Sequence, residues 1–260
     1  MDATLGSMND ILVLCYHAIS GDWEASISVT PERFEGQIRA LLERGYRGAT
    51  VSEALTGPRE EKTLVVTFDD AYRSVARHAR PILVGLGVPG TVFVPTAFPG
   101  TERPMSWPGI HTWLGGPHEH ELVPSSWSEL EALADDGWEI GSHTRTHPRL
   151  PRLDDAALRE ELEGSRADCE QRLGIRCRSI AYPYGDCDPR VAAAARVAGY
   201  VAGCAMSRRV ERHDPLLWPR VAMYERDHGR RFDLKVSPAL RYARAGAAWA
   251  IRGTLKHRRG

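Results

Sequence analysis

LVVTFDD, at residues 64–70, is an apolar run that stops at two adjacent carboxylates, Asp69 and Asp70. Its β-branched and aromatic residues predict a buried strand, because runs of this kind are typical of strands that are covered on both faces. Successive residues at a strand end point to opposite sides, so that one carboxylate can bind a cation while the other faces a reacting water. The stretch therefore predicts a catalytic site at the end of a central strand.

A second short strand ends in two histidines. In EIGSHTRTH, residues 139–147, His143 and His147 are four positions apart, and one helical turn or a tight loop brings both imidazoles to one side. One carboxylate and two imidazoles leave coordination positions open for water and substrate, as in catalytic metal sites. We therefore predict a three-ligand metal centre and a hydrolase.

Strands alternate with helices along the chain, which predicts parallel strands joined by right-handed crossovers. We predict a single-domain α/β protein, a distorted (β/α) barrel of about seven parallel strands. The apolar residues within 96–126 follow neither a helical nor a strand period, which predicts a long loop insertion. Residues 10–225 would form the catalytic barrel and residues 226–260 a basic C-terminal extension. In such barrels the active site lies just past the carboxyl ends of the strands. Further strands are predicted at residues 11–16, 90–95, 179–182, 200–206 and 216–223.

The composition is that of a soluble globular enzyme, with 260 residues, 42% apolar and 26% charged. No apolar run approaches the roughly 18 to 20 residues that span a bilayer, and the first ten residues lack the features of a secretory signal. The five cysteines are odd in number and include no CxxC pair, which favours reduced thiols. These features predict a cytoplasmic protein.

The charge is unevenly distributed. Basic and acidic side chains number 34 each, and seven of the basic ones lie beyond Asp233, so the rest of the chain carries 27 basic and 34 acidic groups. A helix over residues 237–259 would have a basic face, which can dock either on the acidic barrel or, as a weak peripheral contact, on the inner membrane face. The acidic body and the lack of a recognition motif argue against nucleic-acid binding.

Three motifs occur in a fixed order: TFDD at residues 67–70, HTRTH at 143–147 and YPYG at 182–185. In this order they resemble the polysaccharide deacetylase (NodB-homology) family of carbohydrate esterases, over roughly residues 10–225. The resemblance implies a distorted (β/α) barrel that removes N-acetyl, less often O-acetyl, groups from sugars with a divalent metal. It also makes Asp69 the catalytic base and Asp70, His143 and His147 the ligands of a metal whose bound water is the nucleophile.

The same resemblance places Tyr182, Pro183 and Tyr184 at the substrate, with the backbone N–H of Tyr184 on the oxyanion. Many relatives carry the general acid in a C-terminal Leu-x-His motif. LCYH at residues 14–17 resembles instead the N-terminal version of a subgroup with rearranged motifs, the poly-N-acetylglucosamine deacetylases. We therefore assign the acid to His17, with His213 and His228 as rivals.

Two further positions depart from the common pattern. Ala181 stands where many relatives have an arginine that braces the catalytic base, and WPR at residues 218–220 resembles a motif of the rearranged subgroup. Arg220 is thus either the replacement brace or one half of a structural ion pair. Ala71 replaces the glycine that commonly follows the two aspartates, which would alter the local turn.

The predicted activity is removal of N-acetyl groups from an amino sugar in a glycan, a glycolipid or a sugar precursor. Zinc suits a His-His-Asp site best, although cobalt or nickel could serve. An O-acetyl esterase, a deformylase and a cyclic amide hydrolase could use the same metal site, and a non-catalytic carbohydrate-binding module is the alternative of another class. Trp107, Trp113 and Trp127, in and just after the long loop, either stack on sugar rings or simply pack the loop.

Overall fold

The computed structural model of the protein describes residues 10–58, 62–206 and 214–241. They form an α/β domain with a main sheet in which every pairing is parallel and which is nearly closed into a barrel. The strands are β1 (Asp10–Tyr16), β2 (Ala18–Ile19), β3 (Ser28–Val29), β4 (Arg47–Gly48), β5 (Lys62–Phe68), β6 (Gly90–Val94), β7 (Glu139–Ser142), β8 (Ser179–Ala181), β9 (Ala202–Ala205), β10 (Trp218–Pro219) and β11 (Val221–Ala222).

Residues 218–222 join the two ends of the sheet, whose order is β10-β9-β8-β7-β6-β5-β1-β11. Trp218 pairs with Cys204 on β9, and Val221 pairs with Leu14 on β1. The strand predicted over residues 216–223 is therefore two short pieces, separated at Arg220. If these two pieces are taken as one position in the wall, the prediction of a distorted barrel of about seven parallel strands is confirmed.

The alternation of side chains along each strand separates two cores. On β1, Leu12 and Leu14 face outward and pack with the surrounding helices in the larger core. Ile11 and Val13 lie on the other face, where they pack with Val65 and further residues of the barrel interior. Both faces of β1 are buried, which explains why its sequence is a nearly continuous apolar run.

The helices lie around the sheet and include two turns of π-helix, at Val75–Ala79 and Glu160–Gly164. No helix follows β5 directly, because Asp70 and Ala71 have φ of 69° and 53°, outside the helical region. None of the described helices has the length and apolar character to cross a membrane. The α-helices are α1 (Pro31–Glu43), α2 (Val51–Thr56), α3 (Arg80–Leu86), α4 (Trp127–Asp135), α5 (Asp155–Arg159), α6 (Ser165–Leu173), α7 (Pro189–Val197) and α8 (Gly229–Val236).

The two segments outside this regular frame are the long loop and the basic tail. Residues 96–126 contain only two short 3-10 turns, His111–Trp113 and Glu119–Leu122. Beyond Arg241 the predicted basic helix over residues 237–259 lies outside the described residues. Its docking, the contact with a membrane and the cytoplasmic location stay predictions.

Candidate active site

Asp69 and Asp70 directly follow β5, and both are buried, with exposures of 5% and 3%. Asp70 and Ala71 adopt left-handed backbone conformations with φ of 69° and 53°. Such conformations are uncommon for residues other than glycine, and they concentrate at functional sites, where the surrounding structure holds them. The turn directs the two adjacent carboxylates to different partners.

Asp70, His143 and His147 form the first cluster. Oδ1 of Asp70 lies 3.4 Å from Nε2 of His143 and 3.4 Å from Nε2 of His147. One ligand atom from each residue lies within 4.8 Å of the other two. Asp70 Oδ1 is buried and has no hydrogen-bond partner among the described residues, and burial together with the charge of Asp69 raises the pKa of Asp70. A buried carboxylate oxygen between two imidazole nitrogens fits a divalent cation, which would compensate the negative charge of the Asp70 carboxylate.

The two imidazoles are oriented in different ways. Nδ1 of His143 donates to the backbone carbonyl of Ala181 at 2.8 Å, which leaves Nε2 directed at Asp70. The ring of His147 instead stacks on Trp107, with ring centroids 4.1 Å apart and planes 21° apart, and it contacts the Tyr184 ring at 4.7 Å. Burial lowers the pKa of both histidines, so that each is neutral and able to bind a metal at neutral pH.

Asp69 faces the barrel interior and pairs with Arg220. The pair is bidentate, with Nη1–Oδ1 at 2.6 Å and Nη2–Oδ2 at 2.7 Å, and the Arg220 side chain is fully buried. Nη1 also donates to Thr67 Oγ1 at 3.2 Å. Burial alone would raise the pKa of Asp69, but the Arg220 charge and hydrogen bonds hold it well below its ordinary value. The carboxylate is therefore ionised and fixed in orientation.

His17 follows β1 and lies beside Asp69. Ligand atoms of Cys15, His17 and Asp69 lie within 4.8 Å of one another, and Cys15 Sγ donates to Asp69 Oδ2 at 3.5 Å. Burial lowers the pKa of His17 to about 4. Because Arg220 already binds both oxygens of Asp69, this second cluster is not available as a second set of metal ligands.

The rival general acids lie elsewhere. His228 precedes α8 as its N-terminal cap residue. His213 lies outside the described residues, as does His257 in the sequence LKH at residues 255–257, which also matches the C-terminal Leu-x-His motif of other relatives. Among the described histidines outside the cluster with Asp70, His17 is the one that the structure places beside Asp69.

The YPYG residues divide between the rim of the site and the core. Tyr184 has φ of 60°, and its ring lies beside His147 and 4.1 Å below the Arg149 guanidinium. Tyr182 is fully buried in a separate hydrophobic cluster that includes Ile180 and Leu216, and its hydroxyl donates to the Leu216 carbonyl at 2.9 Å. Pro183 is buried as well. The Tyr182 side chain is therefore buried away from solvent, and the placement of this residue at the substrate stays a prediction.

Two residues of the site, Cys15 and Thr67, were not predicted from the sequence, and Trp107 was predicted only to stack on sugar or to pack the loop. Cys15 and Thr67 stand two positions before His17 and Asp69, so the alternation along a strand places each on the same face as the functional residue, a signal that was available. The stacking of Trp107 on His147 had no local signal, since it joins a long loop to a distant turn.

Comparison with known proteins agrees with the fold and the motifs. The family model for polysaccharide deacetylase matches residues 56–203. The Bacillus subtilis protein YxkH, named as a polysaccharide deacetylase, is 29% identical over 196 residues, 74% of this chain and 62% of its own. The poly-beta-1,6-N-acetyl-D-glucosamine N-deacetylase of Staphylococcus aureus is 26% identical over 171 residues, 61% of this chain and 54% of its own.

A crystal structure of a polysaccharide deacetylase from Bacillus cereus matches with a TM-score of 0.71 at 24% identity, covering 87% of this chain and 69% of the other. At this identity the likeness shows the fold alone. The chain spans 62% and 54% of the lengths of the two curated relatives. Because the family model matches more than half of the 260 residues, the chain belongs to the polysaccharide deacetylase family.

Proposed function

We propose that this chain is a metal-dependent hydrolase that removes N-acetyl groups from an amino sugar in a glycan, a glycolipid or a sugar precursor. The observation that carries the proposal is the cluster of Asp70, His143 and His147, with the ionised Asp69 beside it. The name of the Staphylococcus aureus relative supports an N-acetylglucosamine polymer as the first substrate to test.

The roles of the side chains follow from their positions. A divalent metal held by Asp70, His143 and His147, most suitably zinc, would supply Lewis acidity toward the acetyl carbonyl. Asp69, kept ionised and oriented by Arg220, accepts the proton of the attacking water. His17 is close to Asp69, outside the ligand set, and neutral at rest because burial lowers its pKa. It takes up the proton that Asp69 has removed from the water and delivers it to the leaving amine.

Residues at the rim of the site position the sugar. The backbone N–H of Tyr184 stabilises the developing oxyanion. The half-buried ring of Tyr184, which contacts His147, offers a surface on which the apolar face of a sugar ring can pack, whereas Trp107 is buried against His147. These groups position the sugar and stabilise the oxyanion, while Asp69 and His17 carry out the proton transfers.

The test combines metal content with acetate release. Purified wild type and His147→Ala are analysed for bound metal, and both are assayed on N-acetylglucosamine oligomers. We expect one metal per wild-type chain, its loss in His147→Ala, and acetate release that requires the metal. Bound metal without acetate release would direct the search to O-acetyl, formyl or cyclic amide substrates, and a chain that never binds metal would refute the proposal.

Single variants separate the roles. Asp69→Asn should keep the metal and lose most turnover, and near-normal turnover would refute Asp69 as the base. His17→Ala should lower turnover while metal content stays unchanged, with a smaller loss for substrates whose leaving group needs little protonation. His257→Ala is the matched control, since it removes the imidazole of the C-terminal LKH sequence. A loss in His257→Ala in place of His17→Ala would reassign the general acid.

A further inference from the structure

The loop that carries both histidine ligands has a strained backbone. Thr144 and His147 have φ of 68° and 62°, in the left-handed region. This region is unfavourable for residues with a Cβ atom and especially for a β-branched threonine. Such conformations persist where neighbouring groups fix them. The metal-binding geometry of the loop therefore depends on what holds the peptide groups between His143 and His147.

The carboxylate of Glu161 binds two of the peptide groups between His143 and His147. Oε2 of Glu161 accepts the backbone N–H of Arg145 at 2.7 Å and that of Thr146 at 3.0 Å. Oε1 accepts the hydroxyl of Thr146 at 2.5 Å. Hydrogen bonds to an ionised acceptor are roughly twice as strong as neutral ones. Glu161 thus fixes the backbone midway between the two ligands without contacting either imidazole.

The π-turn Glu160–Gly164, between α5 and α6, presents this carboxylate to the loop. Turns of this kind are rare and occur frequently at functional sites. The hydroxyl of Tyr200 donates to the Leu162 carbonyl within the turn, at 2.9 Å. Gly164 has no side chain that would collide with Arg145, which crosses the turn to reach Asp168 at 3.1 Å. The turn is therefore shaped to receive the loop.

We propose that Glu161 is a positioning residue for the metal centre, which it serves by holding the loop that carries His143 and His147 in its ligating conformation. The proposal rests on the metal-dependent function proposed above. It predicts that the metal affinity of the site depends on a side chain that touches neither the metal ligands nor the substrate.

The test compares Glu161→Leu with Glu163→Leu, a control on the same turn whose side chain is exposed. Both variants lose one negative charge and gain a leucine, but only the first removes the acceptor of the loop. We expect zinc affinity, measured by competition with a chelator, to fall about 10- to 100-fold in Glu161→Leu and to stay unchanged in Glu163→Leu. The visible absorption of the cobalt-loaded protein should change in Glu161→Leu alone, because it reports the geometry around the metal.

A second variant covers the case in which Glu161→Leu does not fold. Glu161→Gln keeps one acceptor oxygen and should show an intermediate affinity. If zinc affinity is unchanged in the Glu161 variants while the melting temperature of the metal-free protein falls, Glu161 is merely structural and the inference is overturned. If wild type binds no metal, the proposed function itself fails. If wild type binds metal and the Glu161 variants bind it equally well, only the inference fails.

Discussion

The pairing of Arg220 with Asp69 leads to a prediction about stability that does not depend on the substrate. We expect Asp69→Asn to destabilise the wild-type protein and to stabilise an Arg220→Met variant. In wild type the carboxylate is bound by two hydrogen bonds of 2.6 and 2.7 Å to a fully buried guanidinium. In Arg220→Met the same carboxylate remains buried without its counter-charge, and Asp69→Asn then removes an uncompensated charge.

The size of the effect has a lower and an upper limit. Removing one partner of a buried ion pair costs about 3–5 kcal/mol. The cost at pH 7 has an upper limit because the buried Asp69 can take up a proton instead of remaining charged. Since pH 7 lies about three units above the ordinary pKa of an aspartate, and each unit corresponds to 1.36 kcal/mol, this protonation costs about 4 kcal/mol. The unfolding free energy of Arg220→Met should therefore lie about 3–4 kcal/mol below that of wild type. The deficit should shrink as the pH falls toward 4, since protonation of the buried carboxyl then costs less.

The measurement is urea unfolding of the metal-free wild type, both single variants and the double variant at pH 7, with chelator present so that metal binding does not contribute. The double variant should be more stable than Arg220→Met alone. If Asp69→Asn lowers the unfolding free energy by the same amount in both backgrounds, within about 0.5 kcal/mol, the two side chains are energetically independent. That result would also remove the assignment of Arg220 as the brace of the catalytic base.

Three further predictions concern the turn after β5, the stacked tryptophan and the anchor of α8. Ala71→Gly should change the unfolding free energy by less than about 0.5 kcal/mol, because relief of the left-handed backbone offsets the lost methyl and the added chain freedom. Ala195→Gly, equally buried but within α7, should cost about 1 kcal/mol or more in the same urea titration. Cobalt or copper binding should quench the fluorescence of Trp107, whose ring lies 4.1 Å from that of His147, and Trp107→Phe should lose this quenching while still binding metal in a dialysis assay. Asp227, buried and bound by Lys235 and Arg231, has a lowered pKa, since these partners outweigh the effect of burial. Its contribution is present above the ordinary carboxyl pKa of about 3.9 and is lost as the pH falls through the lower folded value, so the melting-temperature difference between wild type and Asp227→Asn should be constant from pH 8 to pH 5 and shrink below about 4.

The sequence alone determined the frame of this protein and predicted the cluster of Asp70, His143 and His147. Buried parallel strands require continuous apolar runs, and the runs before Asp69 and His143 are visible without a structure. The polar residues that interrupt such runs at strand ends can be recognised because burial of charge is costly, so their presence implies a function. The order of TFDD, HTRTH and YPYG then identified the family.

The tertiary structure decided how the cluster is held, because the supporting contacts join residues far apart in the chain. Arg220 reaches Asp69 only because residues 218–222 close the barrel, and the sequence left it as a brace or a structural pair. Glu161 reaches the histidine loop through a π-turn, and Trp107 reaches His147 from a loop without periodicity. Local patterns encode which face of a strand or helix is buried, whereas the partner across a barrel depends on how the whole chain packs.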